Sequence, residues 1–518
     1  MKHERSKTVA AGSGPRLGPI LVAVLKEDDL LIRKRIFGAF LAATPLFAVA
    51  GAVHAQMPGE EQPKPAVPAP PPLGDTSALA REATGWLSDL LKINTTNPPG
   101  NEDAAAKYIA GVLQKEGIQA ELLPITAGRS AVLARLNSGA LPNPSRALLL
   151  VAHLDVVGVD RPKWSVDPFG AAQKDGYLYG RGSLDDKGML AANLAAFVAL
   201  KRSNARLNRD VIFLATADEE QGGDSSIKTL IAKYWDKFAA AYSINEGGNV
   251  VLKNGKVQYV AVQASEKVAV NVSVIATGAS GHASIPTKDN AVVHLAAAIA
   301  KIGGYSAPLY YTTIVRRYFE GISALEPDEI GKWIRSLDTP DRGEHAARVV
   351  SEADPMWNSM MRDTIAPTML DAGVRANVIP AEARATLNVR LLPGDTITTV
   401  IAGLTKLVND PQIRFEVQPD AGLAAPPSSL ENDFYSAIVK ACAQEFGGAP
   451  VLPYLSPWAT DSAQLRLHNV QAYGLWPYPL TAEDLKRVHG EDERIPLASF
   501  AKGVELMARI VGEFAVSH

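Results

Sequence analysis

Leu148-Leu-Leu-Val-Ala-His153-Leu-Asp155-Val-Val157 is an unbroken apolar run that ends on a histidine and an aspartate. Runs of this kind are strands buried on both faces, and in open α/β sheets ligands bind beyond the carboxyl ends of such strands. In an extended chain the side chains of His153 and Asp155 point the same way, so the carboxylate can hold the second ring nitrogen of the imidazole. A core histidine beside a solvated aspartate is the competing explanation, and this pair alone does not decide between them.

The same arrangement recurs downstream. Asp185-Asp186-Lys187-Gly188 follows the glycine-punctuated Tyr179-Gly-Arg-Gly and opens a helical pattern, so Asp185 is equally a helix cap or a ligand. Val211–Ala215 leads into Asp218-Glu219-Glu220, three adjacent carboxylates whose repulsion either solvent or a cation would offset. Ala240–Ile244 ends on Asn245-Glu246-Gly-Gly, and a second histidine, His489, lies in the glycine-flanked loop Val488-His489-Gly490-Glu491. Acids and a histidine recurring in order at strand ends favour one assembled metal site over several unrelated loops.

Around these motifs, apolar runs alternate with helical stretches at about 187–200 and 226–234, the pattern of a mainly parallel sheet covered by helices. At about Ser265 the period changes. Val268–Ile275 and Ala383–Arg390 alternate with period two around a helix at about 291–302, which predicts an inserted α+β domain with an antiparallel sheet. The expected organisation is a catalytic domain in two parts, 76–263 and 395–518, an insert at 264–394, and a terminal helix at 497–514.

Two N-terminal segments stand apart. Arg33-Lys34-Arg35 precedes the apolar Ile36–Val53 and the small-residue sequence Val53-His54-Ala55, so residues 1–55 read as an export leader; an apolar segment retained as a membrane anchor is the alternative. Residues 56–75 are proline-rich and form an extended linker. A formal net charge of −3 without a long basic run excludes a nucleic-acid footprint, and the single cysteine, Cys442, excludes an intrachain disulfide. Any metal site must therefore use histidines and carboxylates.

These motifs, together with Trp164, Pro168-Phe169 and Asp175-Gly, resemble the M20 family of zinc metallopeptidases, and within it the carboxypeptidase S and N-acyl-amino-acid hydrolase branch. The resemblance runs from about Thr76 to the C-terminus. It implies an α/β catalytic domain with a ferredoxin-like lid, and two zinc ions: His153, Asp185 and Glu246 on one, Asp185, Glu220 and His489 on the other, with Asp185 bridging. It implies Glu219 as general base and Asp155 as the residue that orients His153. In the insert it implies that His282, within Ser280-Gly-His-Ala-Ser-Ile-Pro286, reaches a partner subunit's site in a homodimer, and that Asn377 and Arg390 hold a substrate carboxylate. The loop Trp458-Ala-Thr-Asp-Ser462 resembles a substrate-side loop but lacks the family's preceding glycines. The substrate so implied is a peptide or an N-acyl-amino acid, cleaved at the amide beside a free carboxylate; a catalytically inactive peptide-binding protein of the same fold is the remaining alternative.

Overall fold

The computed structural model describes residues 73 and 75–517, except 140, 222–225, 327, 420 and 423. The expected leader, and the linker apart from Leu73 and Asp75, lie outside the described residues. Among the described residues no helix is long and apolar enough to cross a membrane.

The strands that organise the chain are β1 (Ala120–Thr126), β2 (Arg129–Leu136), β3 (Leu148–His153), β4 (Val211–Thr216), β5 (Tyr242–Lys253), β6 (Lys256–Glu266), β7 (Val268–Thr277), β8 (Thr364–Ala372), β9 (Glu382–Leu391), β10 (Ile413–Val417), β11 (Val451–Ser456) and β12 (Gln471–Leu480). Eight of them form one sheet in the order β1-β2-β4-β3-β5-β12-β6-β11. Its centre is parallel: β3 pairs with β4 from Leu148↔Val211 to His153↔Thr216, and β5 with both β3 and β12. That register brings His153 and the acids after Thr216 to one sheet end. Every residue of β3 and β4 is buried, as expected for strands covered on both faces. Helix Lys187–Ser203, buried from Lys187 through Leu200, covers one face, with Phe197 against Phe213 at 5.8 Å between ring centroids.

Strand β5 does not stop at the acid expected to end it. It continues through Glu246 to Lys253, pairing first with β12 and then antiparallel with β6. Gly247, at φ +121°, permits the bend. A Cβ on Gly248 would stand 2.2 Å from the Ala261 carbonyl, which is why three strands can close up behind Glu246.

The second sheet has the order β8-β9-β7-β10, with helices Ala291–Gly303 and Ile397–Val408 packed on it. The chain order βαββαβ with that strand order is the ferredoxin-like arrangement. Its core is separate from that of the main sheet, built from Val270, Val272, Val274, Leu295, Leu387, Val389 and Leu404 among others. Two boundaries change. The insert does not end at 394, because β10 pairs with β7 and Val408 and Ile413 belong to the lid core. Nor is all of 264–394 lid: in helices Thr313–Ile322, Asp328–Arg335 and Gly343–Ala353, side chains such as Phe319, Ile334 and Val350 join the core of the main body. Amphipathic periodicity marks these segments as helices but does not say which sheet their apolar faces meet.

Candidate metal centre

His153 ends β3 with its side chain buried. Its Nδ1 donates to the Asp155 carbonyl oxygen at 2.9 Å, with the Asp155 carboxylate at 3.5 Å, and its Nε2 lies 2.9 Å from Asp185 Oδ1 and 3.8 Å from Glu246 Oε1. The other oxygen of Asp185 is 3.2 Å from His489 Nε2, which is also 3.2 Å from Glu220 Oε2. Asp185 thus stands between the two histidines, one oxygen to each. His153, Asp185 and Glu220 each offer a donor atom within 4.8 Å of the others, as do His153, Glu219 and Glu246.

The Asp155 carboxylate, besides facing the imidazole, is engaged on the next strand's loop. It accepts from the backbone N–H groups of Glu219 at 3.1 Å and Glu220 at 3.2 Å, and from Asn97 Nδ2 at 2.8 Å. One carboxylate therefore fixes the loop that carries both glutamates. Asn97 donates also to Asp218 at 2.8 Å, and Arg129 Nη1 pairs with the same Asp218 oxygen at 2.9 Å. The run of three acids is split in this way: Asp218, at φ +65°, turns to Arg129 and Asn97, while Glu219 and Glu220 face the site.

Burial, together with the neighbouring carboxylates Asp461, Glu220 and Asp185, pushes Glu219 well above the ordinary carboxylate range, although His153 opposes it. Burial followed by the charge of Asp185 raises Glu246 and Glu220. Burial opposes protonation of His153, but Asp155 and Asp185 prevail and raise it; Asp185 and Glu220 push His489 up to about 10. A cleft of crowded buried carboxylates with imidazoles at its two ends is a donor set suited to divalent cations. Glu220 Oε1, buried without a hydrogen-bond partner among the described residues, fits the same reading.

Two acids here carried no role in the sequence analysis. Asp186 is fully buried and accepts from the His153 backbone at 3.3 Å and from Trp476 Nε1 at 3.2 Å, fixing β3 to β12. Asp461 accepts from Thr216 Oγ1 at 2.8 Å, and burial raises it to about 7. The Asp-Asp doublet and the Trp458–Ser462 loop were the available signals; neither showed what the side chains would face.

The lid residues are not joined to this cluster by any hydrogen bond or ion pair among the described residues. His282 is exposed on a two-residue strand opposite Val378, its Nδ1 2.7 Å from Ser284 Oγ. Asn377 is exposed, and its carbonyl accepts from Ala283 at 3.1 Å. Arg390, on β9, donates through Nε to Asn388 at 2.9 Å and makes no ion pair among the described residues; burial lowers it from the usual arginine value.

An α/β body with a ferredoxin-like lid, and a buried cluster of histidines and carboxylates at the carboxyl end of its parallel strands, defines a metal-dependent amidohydrolase. The chain belongs to peptidase family M20/M25/M40, whose pattern matches residues 149–513. It is 28% identical over 369 residues to the human N-fatty-acyl-amino acid synthase/hydrolase PM20D1, covering 70% of this chain and 73% of that one. Its fold matches the M20 metallo-carboxypeptidase Sso-CP2 of Sulfolobus solfataricus with a TM-score of 0.64 at 21% identity, over 84% of this chain and 99% of that one. It also matches YXEP of Bacillus subtilis, a dinuclear metal-binding M20 peptidase, with a TM-score of 0.52 at 13% identity, over 84% and 99% of the two chains.

Proposed function

We propose that this enzyme uses two zinc ions to hydrolyse the amide bond beside a free carboxylate, as a carboxypeptidase or dipeptidase that releases an amino acid. The observation that carries the reading is Asp185 set between His153 and His489, with Glu219 half-buried beside them. His153, Asp185 and Glu246 would hold one ion, and Asp185, Glu220 and His489 the other. Bound there, the ions supply Lewis acidity toward a carbonyl and make water a stronger acid. Glu219 takes the proton of the attacking water and delivers it to the leaving nitrogen; the burial and neighbouring charge that raise its proton affinity suit that task. Asp155 holds Glu219 and Glu220 through their backbone N–H groups, which fixes where the base sits. Arg390 and Asn377 would receive the substrate carboxylate, and His282 would act across a dimer.

A second reading, hydrolysis or synthesis of N-acyl-amino acids, is favoured by the likeness to the human synthase/hydrolase. An inactive peptide-binding protein is disfavoured because all five proposed ligands and Glu219 are present. Purified protein assayed with and without chelator on dipeptides, longer peptides and N-acyl-amino acids separates the readings. Cleavage of N-acyl-amino acids alone would remove the peptidase assignment, and activity indifferent to chelation would remove the metal mechanism. The basic cluster at Arg33–Arg35 and the apolar run after it support export, which N-terminal sequencing of the mature protein tests.

A further inference from the structure

One buried ion pair makes no hydrogen bond to a proposed ligand's side chain among the described residues, yet joins the two loops that present Asp185 and His489. Arg181 is 2% exposed and Glu493 fully buried, and Arg181 Nη1 donates to Glu493 Oε2 at 2.5 Å. Glu493 also accepts from three backbone N–H groups of the first loop: Gly182 at 3.1 Å, Leu184 at 2.8 Å and Asp185 itself at 3.2 Å. Arg181 extends its other nitrogen to the second loop, where Nη2 donates to the carbonyls of His489 at 3.2 Å and Gly490 at 2.9 Å. Trp164 lies under the guanidinium, 5.3 Å from ring centroid to carbon.

Burying two charges is costly, and replacing such a pair by apolar side chains is often neutral for stability or better. Its geometry indicates what it does here. Five of its hydrogen bonds end on the backbone of the two loops, including the carbonyl of His489 and the N–H of Asp185. The two segments are also joined by the Gly180 N–H to the Glu493 carbonyl at 3.0 Å and by the pairing of Arg494 with Tyr179, but the side chains of Arg181 and Glu493 are what reach the backbone of Asp185 and of His489, which sits at φ +61° with its side chain half exposed.

We infer that Arg181 and Glu493 are positioning residues that set the spacing of Asp185 and His489 and so complete the second metal position, the one shared by Asp185, Glu220 and His489. This rests on the metal reading given above. The first position shares Asp185 but draws His153 and Glu246 from strands β3 and β5, so the tie reaches one of its ligands where it reaches two of the second position's.

Two conservative variants test it. Arg181→Lys keeps a cation beside Glu493 but cannot fork to two carbonyls. Glu493→Gln keeps one oxygen for the Leu184 and Asp185 N–H groups but sets an amide NH2 against Arg181 and Gly182. Metal content at fixed free Zn2+ is measured alongside Co2+ titration followed by visible absorption, with thermal unfolding as a control. The wild-type protein should bind two ions. Both variants should bind the second ion about 10–100-fold more weakly, the usual cost of disturbing residues that orient ligands, and the first with a clearly smaller loss. Two ions bound at wild-type affinity by both variants would overturn the inference. So would parallel loss of both ions, or failure of both variants to fold, since the pair would then be a general tie of the core. Absence of metal from the wild-type protein would instead overturn the metal reading itself, and this inference with it.

Discussion

Glu219 and Asp210 show how burial and hydrogen bonding set opposite behaviour in two acids of one chain. Desolvation of its carboxyl and the charges of Asp461, Glu220 and Asp185 hold the proton affinity of the half-buried Glu219 high, against the pull of His153. Glu219→Gln removes the base but keeps the volume, so the rate should fall by about 10²–10⁴ while metal content stays unchanged; steady-state kinetics with metal analysis check both. Asp210 is buried, which alone would raise it, yet it accepts from the Ser138 backbone at 2.8 Å, Ser138 Oγ at 2.9 Å, Asn143 at 3.2 Å and Arg135 at 2.9 Å, and these hold it below the ordinary value. A depressed carboxyl stabilises the fold above its unfolded value, and that contribution is lost as pH falls through the folded one. Asp210→Asn should therefore cost roughly 1–3 kcal/mol at neutral pH, with the gap to wild type closing as pH drops below about 3.9. Denaturant midpoints at several pH values measure it, and a gap independent of pH would contradict the assignment.

The segment around Glu246 shows what strand-level reading reaches and where it stops. The apolar runs of β3 and β4 announce themselves because burial on both faces leaves no polar position, and their ends correctly locate His153 and the acids after Thr216. Glu246 lies within a strand, because its neighbours are glycines that let three strands meet, and local pattern cannot report what packs on a glycine. Asn97 was legible only as loop chemistry, since its tie to Asp155 and Asp218 spans 58 and 121 residues of sequence. The helices between 313 and 353 were illegible as part of the body because the strand on which the first of them packs, β11, comes more than a hundred residues later, and the others pack on that helix or on one another. Gly474 carries the most direct test at this scale: a Cβ there would stand 2.1 Å from the Glu246 carbonyl and 2.1 Å from Gln263 Oε1. Gly474→Ala should cost about 1–3 kcal/mol by overpacking and, because the strain falls on the Glu246 backbone, should lower metal affinity as well. Unfolding midpoints and metal titration on one preparation check it; a stable variant with weakened metal binding would locate the strain at the site alone.

At the scale of the whole molecule, the lid sheet ends in a strand whose outer edge pairs with no strand among the described residues. Strand β8 is the sheet edge and is exposed from Ala366 through Ala372, with Met369 and Leu370 each 67% exposed and Val374 just beyond it at 93%. An exposed edge with apolar side chains is an adhesive surface unless charge or a bulge blunts it. Here a register shift between Pro367 and Met369 is the only irregularity in its pairing with β9, and a single acid, Asp371, breaks the apolar run. The proposal that His282 acts across a dimer needs an interface on this same domain. The expected outcome is a homodimer at micromolar concentration in analytical ultracentrifugation, and dissociation when Met369→Lys and Leu370→Lys are combined, because unpaired charges would be buried against the partner. The monomer so produced should keep both metal ions, whose ligands all lie in one chain, and lose activity in proportion to dissociation. A fully active monomer would remove His282 from the mechanism, whereas a dimer untouched by the two lysines would place the interface elsewhere on the molecule.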